Sequence, residues 1–202
     1  QKEYGNDDIL AENKDTGDNI TFIPNESSRM FLAGAMEIET LDYRLSYESM
    51  SDFIDNIVEM TYTHGKKRCL VYFHNLAYDG DYILKWLLAH NYTQSLAINE
   101  TTHKPKLKQR EFALLKSSGK FFSLELWWKG IYVKFVDSLK LFPFKLEDMG
   151  ELIGYKKLKD TVDYKKFEFK IDHKYPQEWL TYLKRDCEIL AKFLVKFFTE
   201  KP

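Results

Sequence analysis

Two cysteines, no long apolar run and no excess of either charge remove several classes of protein at once. Cys69 falls in a strand-like run and Cys187 in a helix-like one, without metal-ligand spacing, so buried thiols in a reducing, intracellular compartment are expected rather than a disulfide frame. No stretch approaches the ~20 apolar residues that span a bilayer. The first thirty residues lack the apolar core of a signal peptide, so a soluble chain with no membrane partner is expected. His64, His90, His103 and His173 show no spacing of a metal site. Lysine and arginine total 30 against 31 aspartates and glutamates, so a nucleic-acid partner has to be held by a local groove rather than by a global field. No repeat or low-complexity segment occurs.

What is present is enough apolar and aromatic residue, 44% and 16% of 202, for one full core. Residues 1–29 are polar, rich in Asn and Asp, and read mostly as loop with a short strand at Ile20 to Ile23; residues 30–199 carry the domain. Strand patterns cover Met30 to Glu39 and Tyr43 to Tyr47. Phe53, Ile54, Ile57, Val58 and Met60 then mark a helix over about 51–61, with Ser51 as its N-cap. CLVYF, Cys69 to Phe73, is a buried-strand run, and Ile83, Leu84, Leu87 and Leu88 recur at helical spacing over about 80–90. From Phe112 to Leu139, strand patterns joined by SSGK and KG turns predict an antiparallel meander. Leu146 to Ile153 suits a short helix, and residues 177–199 a long amphipathic one. The class is α/β, a mixed sheet flanked by helices.

Two strings carry polar residues where packing alone does not ask for them. In YFHNLAYDGDYILKWLL, residues 72–88, an Asn and an Asp stand four apart between strand and helix, at the sheet edge where α/β folds place ligands. In YLKRD, Tyr182 and Asp186 stand at i and i+4, so phenol and carboxylate share a helix face. Asp79 and Asp186 together are able to hold hard divalent cations, the arrangement that two-metal phosphodiester hydrolysis requires. Spacing alone better fits a core-anchoring Tyr182 and an Asp186 that caps or pairs with Lys184 or Arg185.

YFHNLAYDGDYI resembles the second exonuclease motif of protein-primed family B DNA polymerases, and YLKRD resembles their third. VDSLKLFPF is similar to that family's Ser-Leu segment along the single-strand groove, and LKDTVDY to its lysine motif, all in the family's order. The resemblance implies a ribonuclease H-like 3′–5′ exonuclease domain acting on single-stranded DNA 3′ ends with magnesium or manganese. It implies metal binding by Asp79 and Asp186, and a water positioned by Tyr182. DNA contacts follow at Asn75, Tyr78, Ser138, Leu139 and Lys159, with His74 shaping the loop. A polymerase domain or a terminal protein is the implied partner.

The first motif of this superfamily, Asp-x-Glu on the opening strand, has no intact counterpart. DDILAEN and GDNIT lie at the right distance without matching it, and EIET, Glu37 to Thr40, sits at the wrong end of its strand. With two of the acidic ligands remaining, two readings follow. The chain is a fragment of an active polymerase, in which case it degrades DNA. Alternatively it is an inactive, domesticated module, binding protein or RNA as a structural component of a larger assembly such as an organellar ribonucleoprotein. Mitochondria are one compartment consistent with the family's range.

Overall fold

The computed structural model describes residues 9–12, 19–22, 30–117, 120–158 and 174–199 of the chain. Two antiparallel hairpins come first: β1 (Ile9–Glu12) with β2 (Asn19–Phe22), and β3 (Leu32–Met36) with β4 (Tyr43–Tyr47). Helix α1 (Met50–Thr63) follows, and its cap is Ser49 rather than Ser51. The Ser49 hydroxyl accepts the Asp52 N–H at 3.1 Å, while Ser51 lies inside the helix and accepts the Trp86 indole N–H at 2.9 Å.

β5 (Arg68–Phe73) leads into α2 (Leu76–Ala89), then β6 (Thr93–Gln94), β7 (Glu111–Ser117), β8 (Lys120–Trp128) and β9 (Ile131–Asp137). These strands form one mixed sheet in the order β5-β9-β8-β7-β6, antiparallel in its middle and parallel at both flanking pairs. A short 3-10 turn, Ser138–Lys140, ends β9. Helices α3 (Leu146–Leu152) and α4 (Gln177–Thr199) complete the described chain.

Strict alternation decides which face of the sheet is core. In β9, Ile131, Val133, Phe135 and Asp137 all point inward, with Tyr132, Lys134 and Val136 between them. Ile54 and Ile57 of α1 and Ile83 and Leu87 of α2 cover that face. Tyr72 of β5 points the other way and joins Phe142, Met149, Ile189, Phe193 and Leu194, the smaller core under α3 and α4. The two adjacent tryptophans obey the same parity. Trp128 lies 4.9 Å from Trp86 and donates to Asp55, whereas Trp127 meets Tyr132 edge-on.

At Gly80, α2 packs closely on β8. A Cβ there would stand 2.9 Å from Cζ of Phe121, a ring only 1% exposed and unable to swing aside. Gly80→Ala is therefore expected to lower stability by about 1–2 kcal/mol despite the better helix propensity of alanine. The midpoint of urea unfolding checks it, and a higher midpoint would show that Phe121 has room to yield.

Candidate functional site

The motif that the sequence places in a loop is the first turn of a helix. α2 starts at Leu76, ahead of the expected start near residue 80, because Asn75 takes a left-handed conformation (φ 80°) and its N–H is held from outside. Asparagine tolerates that backbone better than most residues. The holding group is Asp137, 1% exposed, whose Oδ1 accepts the N–H of Asn75 and the N–H of Leu139, each at 3.0 Å. Its Oδ2 is buried without a hydrogen bond among the described residues, with the Lys140 ammonium 3.5 Å away.

His74 and Ser138 tie the same junction. The His74 Nε2–H donates to the Phe144 carbonyl at 2.7 Å, and Nδ1 lies 3.1 Å from Ser138 Oγ. Ser138 is fully buried, and its hydroxyl donates to the Phe73 carbonyl at 2.8 Å. Burial pushes the His74 pKa down, outweighing the opposing pull of the Phe144 carbonyl and of Asp137, so the ring is neutral near pH 7. His74 thus shapes the turn, and Leu139, half-buried, stands beside it.

Asp79 projects from this first turn, half-buried. Burial, reinforced by the nearby Asp137 carboxylate and opposed by a hydrogen bond from its own backbone, raises its pKa to about 6. Asp186 and Tyr182 come from the middle of α4, 8% of Tyr182 being exposed. The Asp186 carboxylate lies 3.5 Å from Lys157 Nζ, and that ammonium also sits 5.1 Å from the centre of the Tyr182 ring. Asp79 and Asp186 line one cavity of about 810 Å³, together with Tyr78 and His74. Both carboxylates act on the Cys187 thiol, which burial above all pushes up to about 12.

This donor set suits a hard cation. Two carboxylates from different elements face one space, and a thiol held at about 12 stays protonated and offers no competing sulfur ligand. No cluster of three or more His, Cys, Asp or Glu side chains able to hold a metal occurs among the described residues. Glu37 is engaged elsewhere. Its carboxylate accepts the N–H groups of Glu39 and Thr40 and the Thr40 hydroxyl, closing the turn between β3 and β4.

Of the residues singled out from sequence, Asp79, Tyr78 and His74 line the same cavity as Asp186, and Tyr182 stands one turn before Asp186. Asn75 and Tyr78 are exposed, Tyr78 by 66%. Lys159 lies outside the described residues; Lys157 is the lysine seen beside Asp186. One residue of the site went unassigned in the sequence, Asp137. The signal for Asp137 was parity: in IYVKFVD it falls on the inward face, where an unpaired acid is costly.

Comparison with known proteins adds an independent line. Residues 61–175 match the family described as DNA polymerase type B, organellar and viral. The DNA polymerase of Bacillus phage M2 is 26% identical over 174 residues, covering 84% of this chain and 28% of the phage protein. That of Bacillus phage phi29 is 26% identical over 181 residues, 87% of this chain and 28% of its own length. The chain thus spans little more than a quarter of these relatives. Among solved structures, phi29 DNA polymerase with primer-template DNA superposes with a TM-score of 0.68 at 25% identity, over 86% of this chain and 29% of that one. The same enzyme complexed with single-stranded DNA gives 0.64 at 23% identity, over 84% and 28%. The shared architecture is the ribonuclease H-like α/β fold.

Proposed function

The chain belongs to the type B DNA polymerases of organelles and viruses, and we propose that it is a 3′–5′ exonuclease unit of that family. It hydrolyses phosphodiester bonds at single-stranded DNA 3′ ends. The observation that supports this most is that Asp79, from the first turn of α2, and Asp186, from α4, line the same cavity.

Asp79 and Asp186 would hold magnesium or manganese. Such a metal would supply Lewis acidity for activating a water and stabilising the leaving oxygen. The chain's own groups do the rest. Tyr182 Oη orients the attacking water, and burial of its ring fixes the phenol. The Asn75 amide and the exposed Tyr78 ring receive the terminal nucleotide, with Leu139 flanking the strand and Ser138 holding that flank in place. Lys159 meets the phosphate, and Lys157 adds positive charge beside Asp186. Asp137 holds the turn that carries Asp79. A polymerase domain and a terminal protein fit as partners, since the relatives extend far beyond the length matched here.

A 5′-labelled single-stranded oligonucleotide incubated with the chain should shorten to a ladder with magnesium or manganese and remain intact with EDTA. An intact oligonucleotide with both metals and a folded chain would overturn the activity and leave a binding module.

A further inference from the structure

The face of the sheet turned away from α1 and α2 carries a row of side chains that the cutting site does not use. Arg68 of β5 stands opposite Tyr132 of β9, and Tyr132 stands opposite Trp127 of β8. Directly paired residues share a face, so the three side chains lie abreast across three strands. The Arg68 guanidinium sits 5.2 Å from the centre of the Tyr132 ring, and that ring lies 5.2 Å from Trp127. Glu125, 5% exposed, steadies the row: its carboxylate accepts the Tyr132 hydroxyl and pairs with Lys134 at 2.7 Å, so its charge is taken up.

This row joins two cavities. Arg68 lines the large one that also contains Asp79 and Asp186. Trp127 lines a second, of about 610 Å³, at the β8–β9 turn, together with Tyr92, Trp128, Lys108, Arg110 and Lys129. Among the described residues, no acid lines this second cavity. Its aromatic groups are fixed in place, since Trp128 donates to Asp55 at 2.6 Å and the Tyr92 hydroxyl donates to the Trp127 carbonyl at 3.0 Å. Lys129 is paired with Asp55 at 2.8 Å, whereas Lys108 and Arg110 stand exposed at the rim.

We propose that the second cavity and the row leading from it form a track for single-stranded DNA, which rests on the exonuclease reading only for the identity of the strand. Aromatic faces beside cations, with no acid among them, match bases and phosphates and are the parts from which sequence-tolerant single-strand binders are built. An acidic peptide satisfies Lys108 and Arg110 but brings no base to stack on Trp127. β9 runs 7 residues from the turn at this cavity to Asp137, which holds the turn bearing Asp79. The two ends of the track are therefore about 20 Å apart. At ~3.4 Å per nucleotide, roughly six nucleotides or more bridge them. Substrate length then sets affinity, because a trinucleotide reaches only the acids and a dodecamer reaches both ends.

Fluorescence anisotropy of labelled thymidylate oligonucleotides, three and twelve long, tests this in EDTA, where nothing is cut. The parent should bind the dodecamer at least about tenfold tighter than the trinucleotide. Trp127→Leu should weaken the dodecamer by about 5–150-fold, the range for one lost base–aromatic stack. The double variant Lys108→Glu, Arg110→Glu, at exposed positions that leave the fold intact, should weaken it as well and flatten its salt dependence. Neither change should alter trinucleotide binding. Equal dodecamer affinity in the parent and the charge-reversed chain would overturn the proposal. So would a uridylate dodecamer bound about tenfold tighter than the thymidylate one, which assigns the track to RNA, or displacement of the DNA by polyglutamate of equal charge, which assigns it to an acidic peptide. Cutting is read separately with magnesium: a chain that cuts but shows no length dependence loses the track alone, and one that binds as expected without cutting loses the exonuclease reading alone.

Discussion

Asp79→Asn is expected to abolish metal-dependent shortening of DNA and, in the same chain without metal, to raise thermal stability. The two effects share a cause. A carboxylate kept half-buried near Asp137 is a good cation ligand because it is poorly solvated, and for that reason it is a liability when no cation is bound. Its pKa stands at about 6 in the fold against an ordinary value of 3.8. A raised acid favours the folded state while it carries its proton; that contribution is complete below about pH 4 and lost as pH climbs through about 6. At pH 8 the ionised side chain therefore costs on the order of 1–3 kcal/mol. The asparagine variant should melt roughly 3–8 °C higher than the parent in EDTA at pH 8, with the gap closing toward pH 4. Loss of activity should be on the order of 100-fold or more. A variant that melts lower at pH 8 would make Asp79 a structural residue, and retained shortening would remove it from the metal site.

Asp137→Ala should act in the opposite sense and cost the fold about 3 kcal/mol. Removing the carboxylate takes the acceptor from the part-buried N–H groups of Asn75 and Leu139, each at about 1–3 kcal/mol, partly offset by relief of charge crowding with Asp79. Asp137→Asn keeps an acceptor oxygen in the same place and should lose only about 1 kcal/mol. Urea unfolding of both variants with an unchanged slope measures the difference. Near-equal midpoints for the parent and the alanine variant would mean that water reaches both amides and that the left-handed turn at Asn75 holds itself. The activity readout separates support from ligation: if Asp137 only positions the turn, the asparagine variant retains metal-dependent shortening.

Much of this molecule was legible without coordinates. The alternation in IYVKFVD, the helical spacing of Ile83 and Leu87, and the KG turn are short-range patterns, so the meander and its flanking helices follow from neighbours along the chain. Asp79, Tyr182 and Asp186 were likewise readable as candidates, because each stands at a polar exception to an otherwise apolar pattern. The start of α2 was not. It depends on an aspartate 62 positions away accepting one backbone N–H, a contact that no local window contains.

The same division runs through the site. Ser138 reads as a surface contact to nucleic acid when taken as a letter in DSLKLF, yet it is fully buried because β5 and β9 run parallel and bring Phe73 opposite Asp137. The raised pKa of Asp79 comes from burial and from Asp137, both supplied by strand pairing rather than by sequence neighbours. By itself, then, the sequence determined the class of fold, the identity of the chemical groups and the helix faces that bear them, since periodicity acts over a few residues. Which acids share a cavity, which hydroxyl is buried and which side chains lie abreast across the sheet were decided only in three dimensions, because charge and solvation respond to every atom that packing brings near.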